Sequence, residues 1–262
     1  MKIPFSKYQG TGNDFIIIDN RQFDWKPNQQ EIAYLCHRRF GIGADGLMFL
    51  SDTEGFDFGM TYYNSDGAES TMCGNGGRCI TAFAVSLGLV EACARFWAVD
   101  GIHDSVVLYA RHPEFMVRLK MMDTAIGQVF GDGIFINTGS PHFVVQHDNI
   151  SGLDVFHEGR ILRNDQRFAP GGSNIDFMEV KPDGLFVRTY ERGVEDETLS
   201  CGTGVTASAL VMAHLRPENK GKYQITAPGG ELTVTFKQNG NSFSDIWLEG
   251  PAKFVFSGEI DL

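Results

Sequence analysis

A short motif, a cysteine followed by Gly-x-Gly, occurs twice in this chain and limits what it can fold into. The first copy, Cys73–Gly76, precedes a small and apolar run from Cys79 to Leu87, and the second, Cys201–Gly204, precedes a similar run from Val205 to Leu215. Both runs are rich in Ala or Leu and contain no Pro or Gly, which predicts two buried helices. Each cysteine should therefore lie just before a helix N-terminus, beside backbone N–H groups that have no partner within the helix.

A thiol in this position has two expected properties. The positive end of the helix dipole stabilises a thiolate, which would lower a cysteine pKa from about 8.5 towards neutrality. The glycine-rich turn presents N–H groups to an anion, and a carboxylate fits there as well as a phosphate does. One such motif is more often a buried structural cysteine. Two copies with matching flanks indicate a pair of thiols that act on one carboxylate-bearing substrate.

The chain also repeats itself outside the motif. Cys73 and Cys201 are 128 positions apart, Tyr63-Asn64 aligns with Tyr190-Glu191 at an offset of 127, and a glutamate stands four residues before each cysteine. These matches predict two homologous domains, each with a polar loop, several strands and one central helix that begins at a cysteine. Outside the two central helices, the pattern predicts one helix over Gln29–Arg39 and several short strands, the last being Lys253–Phe256.

Two related domains would bring two equivalent sites to the two sides of one cleft, where ligands commonly bind. The two thiols would then approach a substrate from opposite faces. This arrangement suits a reaction in which one face of a carbon loses a proton and the opposite face gains one.

Composition narrows the class of protein. The chain has 262 residues with a formal net charge of -11 and no long basic run, which argues against a nucleic-acid partner. No apolar run is long enough to span a membrane, and the N-terminus lacks the apolar core of a signal peptide. We therefore expect a protein of the reducing cytoplasm. The five cysteines include no CxxC and no zinc-ligand spacing, so neither a disulfide framework nor a structural metal is expected.

Several further motifs carry a resemblance to a known family. They are Gly12–Phe15, Gly41–Asp45, Asn64–Gly67, Cys73–Gly76 with Arg78-Cys79, Gly139–His142, Asn174–Phe177, Tyr190–Gly193 and Cys201–Gly204. On these stretches the chain resembles diaminopimelate epimerases over essentially its whole length. Together they are far more specific than any single motif.

The resemblance implies an isomerase without a cofactor, which interconverts LL- and meso-diaminopimelate in bacterial lysine biosynthesis. One cysteine removes the α-proton as a thiolate, and the other returns a proton as a thiol. The implied partner is this small molecule, and a homodimer is possible. The implied fold is α+β, with two pseudo-symmetric domains that each wrap a curved, mostly antiparallel sheet around a central helix. The first domain would comprise residues 1–114 and 251–262, and the second residues 115–250.

The resemblance also implies roles for particular residues. Asn13, Asn64 and Asn174 would hydrogen-bond the amino and carboxylate groups of the substrate. Arg192 would pair with the distal carboxylate, for which a two-pronged guanidinium is suited. Glu191 would lie near the ammonium group or set the thiol protonation state, and His142 would do the latter. The backbone N–H groups that hold the α-carboxylate would come from Gly74, Asn75, Gly202 and Thr203. Arg78 could instead be a structural ion-pair partner, and Cys36, Cys79 and Cys93 are interpreted as packing residues.

Two departures and three alternatives stay open. The family often has Gln where this chain has Gly46, and Asn where it has Ser140, and both family residues touch the substrate. The nearest alternative is another paired-cysteine isomerase, such as a proline racemase or hydroxyproline epimerase, although such substrates give Arg192 no purpose. The others are an isomerase or lyase that acts on an aromatic acid without thiols, and a non-catalytic amino-acid-binding protein.

Overall fold

Two compact units make up the chain. The structure is a computed structural model that describes residues 2–23, 25–218 and 221–261. Contacts within the chain group Met1–Leu119 with Gly250–Leu262 as the first unit, and Lys120–Glu249 as the second. Both units are rich in sheet and contain helices, so the expectation of a mixed fold with two domains is confirmed.

The first unit is formed by the early strands, two helices and the end of the last strand. Its elements are β1 (Lys2–Gly10), β2 (Asn13–Asp19), α1 (Gln29–Cys36), β3 (Gly46–Ser51), β4 (Phe58–Asn64), β5 (Glu69–Ser70), α2 (Gly74–Ser86), β6 (Cys93–Ala98), β7 (Gly101–Arg111), β8 (Glu114–Lys120) and the final residues of β17 (Ser242–Asp261).

The second unit contains the remaining elements. They are β9 (Thr124–Val129), β10 (Ile134–Asn137), β11 (Pro141–Gln146), α3 (Val155–Arg163), a 3₁₀ turn (Gln166–Phe168), β12 (Asn174–Lys181), β13 (Gly184–Glu191), β14 (Asp196–Thr198), α4 (Gly202–Leu215), β15 (Lys222–Ala227), β16 (Gly230–Asn239) and the first residues of β17.

Strand pairing follows the same order in both units. In the first, β1 pairs with β2, β2 runs parallel to β3, β3 is antiparallel to β4, and β4 pairs with β5 and β6. In the second, β10 pairs with β11, β11 runs parallel to β12, β12 is antiparallel to β13, and β13 pairs with β14 and β15. A helix fills the parallel crossover from β2 to β3 (α1) and the one from β11 to β12 (α3), and the parallel crossovers from β4 to β6 and from β13 to β15 contain α2 and α4. The structure therefore repeats the order that the sequence repeat indicated.

The two predicted central helices are present and buried. Helix α2 contacts β1, β2, β3 and β7, and α4 contacts β10, β11, β12 and β15. Almost every residue of both helices is inaccessible to solvent, and α4 is apolar around most of its circumference, as a helix enclosed by protein must be. Cys73 and Cys201 are the N-cap residues, so the predicted placement of each cysteine before a helix is confirmed.

Other details differ from the sequence prediction. Helix α1 ends at Cys36 rather than near Arg39, since the chain turns back and the Ile42 and Gly43 N–H groups donate to the Leu35 carbonyl. The last strand, β17, is much longer than predicted. Cys93 was expected to pack in the core, but it lies on the exposed face of β6, where buried and exposed residues alternate.

Candidate active site

The N-terminus of α2 positions the first thiol. Cys73 has an extended backbone, its carbonyl accepts from the Gly77 N–H at 2.7 Å, and its side chain caps no helix N–H group. A helix leaves its first N–H groups without intrahelical acceptors, here those of Gly74, Asn75 and Gly76. The half-buried thiol therefore stands beside donors that can bind an anion.

Asn13 is the side chain that the first unit brings to this thiol. Its Oδ1 lies 3.7 Å from Cys73 Sγ and 3.4 Å from the Asn75 Nδ2 that donates to it. Its Nδ2 donates to Asp45 Oδ2 at 2.6 Å. Because an ionised carboxylate only accepts, Asp45 fixes the amide with its oxygen towards the thiol. Asp45 lies within a matched motif, but the site prediction did not include it.

A charge network holds Asp45 and its neighbour Asp14. Arg38 donates to Asp14 at 2.7 Å and to Asp45 at 2.6 Å, and Lys7 Nζ lies 2.8 Å from Asp14. Burial acts to raise the pKa of Asp14, but the hydrogen bonds and charges of Arg38 and Lys7 outweigh it and lower that pKa to about 2. The strand that carries Asn13 is thus held by ionised groups.

Arg78 is completely buried beneath the first turn of α2. Its guanidinium donates to the Gly74 and Pro251 carbonyls, Thr11 Oγ1 and Asn75 Oδ1, at 2.8 to 3.3 Å. All four acceptors are neutral, so the ion-pair role considered for Arg78 is wrong for the contacts seen here. Its charge instead fixes the Asn75 side chain and the start of the helix, and burial lowers its own pKa.

The N-terminus of α4 positions the second thiol in the same way. The Cys201 carbonyl accepts from the Val205 N–H at 2.9 Å. Cys201 is buried, and its Sγ lies 3.4 Å from Thr203 Oγ1. The unit therefore holds one thiol at the positive end of a buried helix.

A buried histidine is linked to this thiol through the Thr203 hydroxyl. His142 Nε2 lies 2.8 Å from Thr203 Oγ1, and Nδ1 lies 2.7 Å from Asp176 Oδ2. The side chains of His142 and Asp176 are both wholly inaccessible to solvent. Thr189 donates to the other carboxylate oxygen of Asp176 at 2.7 Å. The hydrogen-bond chain thus joins Asp176 to Cys201 through His142 and Thr203.

The protonation of Cys201 differs from the sequence prediction. A helix N-terminus was expected to lower the thiol pKa, but burial and the charges of Glu191 and Asp176 raise the pKa of Cys201 well above its usual value. The Thr203 hydroxyl and the Gly204 N–H act in the opposite direction and are outweighed. The helix terminus does not outweigh desolvation and the two nearby carboxylates, so the protonated form of Cys201 is favoured.

The other predicted residues of the second unit cluster at the ends of β12 and β13. Asn174 Nδ2 donates to Ser140 Oγ at 2.9 Å and to the Pro141 carbonyl at 2.8 Å, and its Oδ1 accepts from the Arg192 N–H at 2.8 Å. The Arg192 side chain is exposed, and among the described residues none forms an ion pair with it. In the first unit, the Asn64 side chain is exposed at the end of β4.

Sequence comparison identifies the family. A family model described as diaminopimelate epimerase matches residues 5–99 and 134–255. A diaminopimelate epimerase from Flavobacterium psychrophilum is 48% identical over 256 residues, which cover 97% of this chain and 98% of the relative. The chain belongs to the diaminopimelate epimerase family.

Solved structures share the family's fold at low sequence identity. A phenazine biosynthesis protein from Bacillus anthracis aligns with a TM-score of 0.77 and 16% identity over 100% of both chains. A probable proline racemase from Agrobacterium radiobacter aligns with a TM-score of 0.75 and 14% identity, over 99% of this chain and 93% of the other. These two similarities concern the fold alone.

One departure from the family pattern has a steric reason. A Cβ at Gly46 would lie 2.4 Å from the Tyr62 ring and 2.6 Å from the Tyr63 carbonyl oxygen. The Tyr62 ring therefore occupies the space that a side chain such as Gln would need. At the second departure, Ser140 uses its hydroxyl to accept from Asn174.

Sequence reasoning missed Asp176 as a site residue, although it lies in the matched Asn174–Phe177 stretch. A charged residue in an apolar alternating strand is the signal that could have found it.

Among the described residues no group of three or more His, Cys, Asp or Glu side chains is arranged to hold a metal ion. None of the helices in the described ranges is long and apolar enough to cross a membrane.

Proposed function

We propose that this protein interconverts LL- and meso-diaminopimelate without a cofactor, by proton transfer between the substrate α-carbon and two thiols. Cys73 and Cys201 are the acid and base, and their roles exchange with the direction of the reaction. The observation that carries the proposal is that each thiol stands at the N-terminus of a buried central helix, in a member of this family.

The chemistry requires the N–H groups of the two helix N-termini. An amino-acid α-proton is a weak acid, so the carbanion that develops must be stabilised by charge when no pyridoxal is present. We assign the α-carboxylate to the N–H groups of Gly74, Asn75, Gly202 and Thr203. Fixed donors in a site without water stabilise developing negative charge more strongly than water does, because they need no reorganisation.

The remaining groups give the substrate its orientation. Arg192 pairs with the distal carboxylate, which is supported by its exposed guanidinium. Asn13 and Asn64 bind polar groups of the substrate. Both N–H groups of the Asn174 side chain are used within the protein, so its Oδ1 is the atom that accepts from the substrate. The same oxygen accepts from the Arg192 N–H and so positions Arg192. Glu191 and His142 set the protonation state of Cys201, which is supported by the Glu191 charge and the His142 contact.

The wider setting is part of the same proposal. The reaction would supply meso-diaminopimelate for lysine biosynthesis in the cytoplasm, and the protein would act as a homodimer. Each unit would be a curved sheet around its central helix, within the domain bounds of the sequence prediction. The contacts of α2 and α4 with strands of their own units support this architecture.

Proton NMR in heavy water tests the function. LL-diaminopimelate is incubated with the reduced protein and no pyridoxal, and the α-proton signal is followed. We expect that signal to disappear as the meso isomer forms, because the second thiol returns a deuteron from solvent. A double variant, Cys73→Ser with Cys201→Ser, is the control for exchange that does not depend on the thiols.

Related substrates distinguish the alternatives. Exchange with proline or hydroxyproline but not diaminopimelate would keep the paired thiols and reject the substrate. Binding of diaminopimelate without exchange would indicate a binding protein and reject catalysis.

A further inference from the structure

Four side chains in the second unit form a row of hydrogen bonds that runs from Asp176 through His142 and Thr203 to Cys201. Asp176 accepts from Thr189 on one carboxylate oxygen and lies 2.7 Å from His142 Nδ1 on the other. With Asp176 ionised and the ring neutral, Nδ1 carries the hydrogen and Nε2 is an acceptor, because an ionised carboxylate has no hydrogen to give. The Thr203 hydroxyl must then donate to Nε2, and its oxygen is left to accept from the Cys201 thiol.

We propose that Asp176 is a positioning residue that holds His142 in this tautomer, so that His142 takes the Cys201 proton through the Thr203 hydroxyl. The proposal rests on the proposed function, because it explains how one of its two thiols becomes a base. In the transfer the S–H bond breaks and its proton goes to Thr203 Oγ1. The former hydroxyl proton of Thr203 goes to Nε2, which leaves a thiolate, a neutral hydroxyl and an imidazolium beside the Asp176 carboxylate. The reverse transfer restores the thiol.

Burial makes this row more than a structural contact. Neither His142 nor Asp176 is accessible to solvent, so the imidazolium can form only beside a charge that compensates it. A Cβ at Gly204 would lie 2.3 Å from Asp176 Oδ1, so the missing side chain at that position lets the carboxylate approach the first turn of α4. The N-terminal end of the helix dipole stabilises a carboxylate in that place.

The thiol needs such a proton acceptor. Among the described residues, the charges of Glu191 on β13 and Asp176 on β12 act on Cys201, and with burial they favour the protonated form. The row through Thr203 gives the proton a defined destination on β11 that does not require water.

The first test changes only the bridging hydroxyl. Thr203→Val removes the hydroxyl and keeps the shape, and Thr203→Ser keeps the hydroxyl and is the matched control. The rate at which iodoacetamide alkylates Cys201 is measured against pH by peptide mass spectrometry, which separates Cys201 from Cys73. We expect Thr203→Val to slow alkylation at neutral pH by about 10-fold, the effect of losing one hydrogen bond of ordinary strength, and Thr203→Ser to stay close to the wild-type rate. A wild-type rate and pH profile in Thr203→Val would overturn the proposal.

The second test separates two explanations of the role of Asp176, because they predict opposite changes in the rate of Cys201 alkylation. In Asp176→Asn the amide can donate to Nδ1, which would place the ring hydrogen on Nε2 and prevent that atom from accepting, as known for other Asp-His pairs. We therefore expect slower alkylation of Cys201. If Asp176 acted only through its negative charge, its removal would make the thiol more acidic and speed alkylation, and that outcome would refute the positioning role. Asp183→Asn, at an exposed position in the turn after β12, controls for a general charge effect.

Neither test requires turnover. If alkylation responds as expected but no diaminopimelate exchange occurs, proton transfer from Cys201 to His142 is supported and the proposed substrate is rejected. If exchange occurs and alkylation does not respond, the proposed function is supported and the proton transfer through Thr203 is rejected. Imidazole ¹⁵N shifts of His142 in the folded variants report the tautomer directly, and a ring protonated at Nε2 in the wild-type protein would also reject the proposal.

Discussion

At the scale of single residues, the two thiols have equivalent backbone positions and different surroundings. Cys73 is half-buried and lies near a neutral amide, whereas Cys201 is fully buried among carboxylates. Local sequence placed both at helix N-termini, but the charges that raise the pKa of Cys201 come from strands β12 and β13. The two thiols are therefore not interchangeable even though their motifs match.

Serine substitution at either cysteine is expected to stop turnover and leave binding intact. A serine hydroxyl is a far weaker acid than a thiol and cannot exchange protons with the α-carbon at a useful rate. We expect Cys73→Ser and Cys201→Ser each to lower kcat by roughly a thousandfold or more. Calorimetric titration should show diaminopimelate affinity within a few-fold of wild type. Cys93→Ser, at the exposed thiol of β6, is the control and should keep full activity. Normal turnover in both active-site variants would rule out the two-thiol mechanism.

The Asp14 network predicts how acid affects stability. The folded pKa of Asp14 is about 2, below the value of about 3.9 for an unfolded aspartate. A depressed pKa stabilises the folded state above the unfolded pKa, and this contribution is lost as pH falls from about 4 towards 2. Asp14→Asn should therefore cost stability at pH 7, on the order of 3 to 5 kcal/mol, because Lys7 stays buried without its nearest carboxylate.

Urea unfolding at pH 7, 4 and 3 measures this effect. The difference between wild type and Asp14→Asn should shrink as pH falls. Glu259→Gln breaks an exposed pair with Lys2 and should cost less than about 1 kcal/mol at any of these pH values. If the difference in unfolding free energy between wild type and Asp14→Asn stayed constant from pH 7 to 3, the depressed pKa of Asp14 would be contradicted.

At the scale of elements, helix starts and crossover positions organise each unit. Helices α2 and α4 both follow a short antiparallel strand and begin at a cysteine, and α1 and α3 both connect parallel strands. Helix α3 was not predicted, because it has a glycine at its centre and two exposed apolar residues, Phe156 and Ile161. The repeat itself was the available signal, since a helix predicted between β2 and β3 implies one between β11 and β12.

Gly159 shows how packing outweighs helix propensity in α3. Alanine in an open helix interior would stabilise by about 1 kcal/mol over glycine. A Cβ at Gly159 would lie 2.4 Å from Tyr190 Cβ, and Tyr190 is itself buried. We expect Gly159→Ala to destabilise the protein by about 1 to 3 kcal/mol in urea unfolding, because overpacking forces the helix off β13. Gly152→Ala, where no atom lies within 4 Å of the added carbon, should change stability little. A more stable Gly159→Ala protein would show that α3 can shift freely.

At the scale of the whole molecule, the chain leaves the first unit after β8 and returns to it through β17. Residues 253–261 pair with β1 along nearly its full length, and residues 250–253 pair with β8. The Phe254 ring contacts the buried Tyr8 ring edge-on at 5.6 Å. The end of the chain is thus a structural part of the unit formed by its beginning.

A chain that ends at Glu249 tests this dependence. Its first unit would have unpaired N–H and C=O groups along β1 and β8, which is unfavourable and promotes aggregation. We expect hydrogen exchange to show lost protection in β1 and β8 and retained protection in β12 and β13, because residues 242–249 still pair with β16. Wild-type protection of β1 in the truncated chain would show that the strand is dispensable.

The sequence by itself determined the features that depend on neighbours along the chain or on periodicity. These are the two buried helices, the cysteine before each, the repeated order of elements and the family. Local backbone geometry and apolar patterning are sufficient for them.

Only the tertiary structure decided which charges meet. Parallel pairing sets His142 opposite Asn174, which brings Asp176 on the same strand within reach of the imidazole. The raised pKa of Cys201 and the contacts of Arg78 with Thr11 and Pro251 likewise depend on residues that are distant in the chain. Desolvation and Coulomb interactions act across space between residues distant in the chain, so no local pattern predicts their balance.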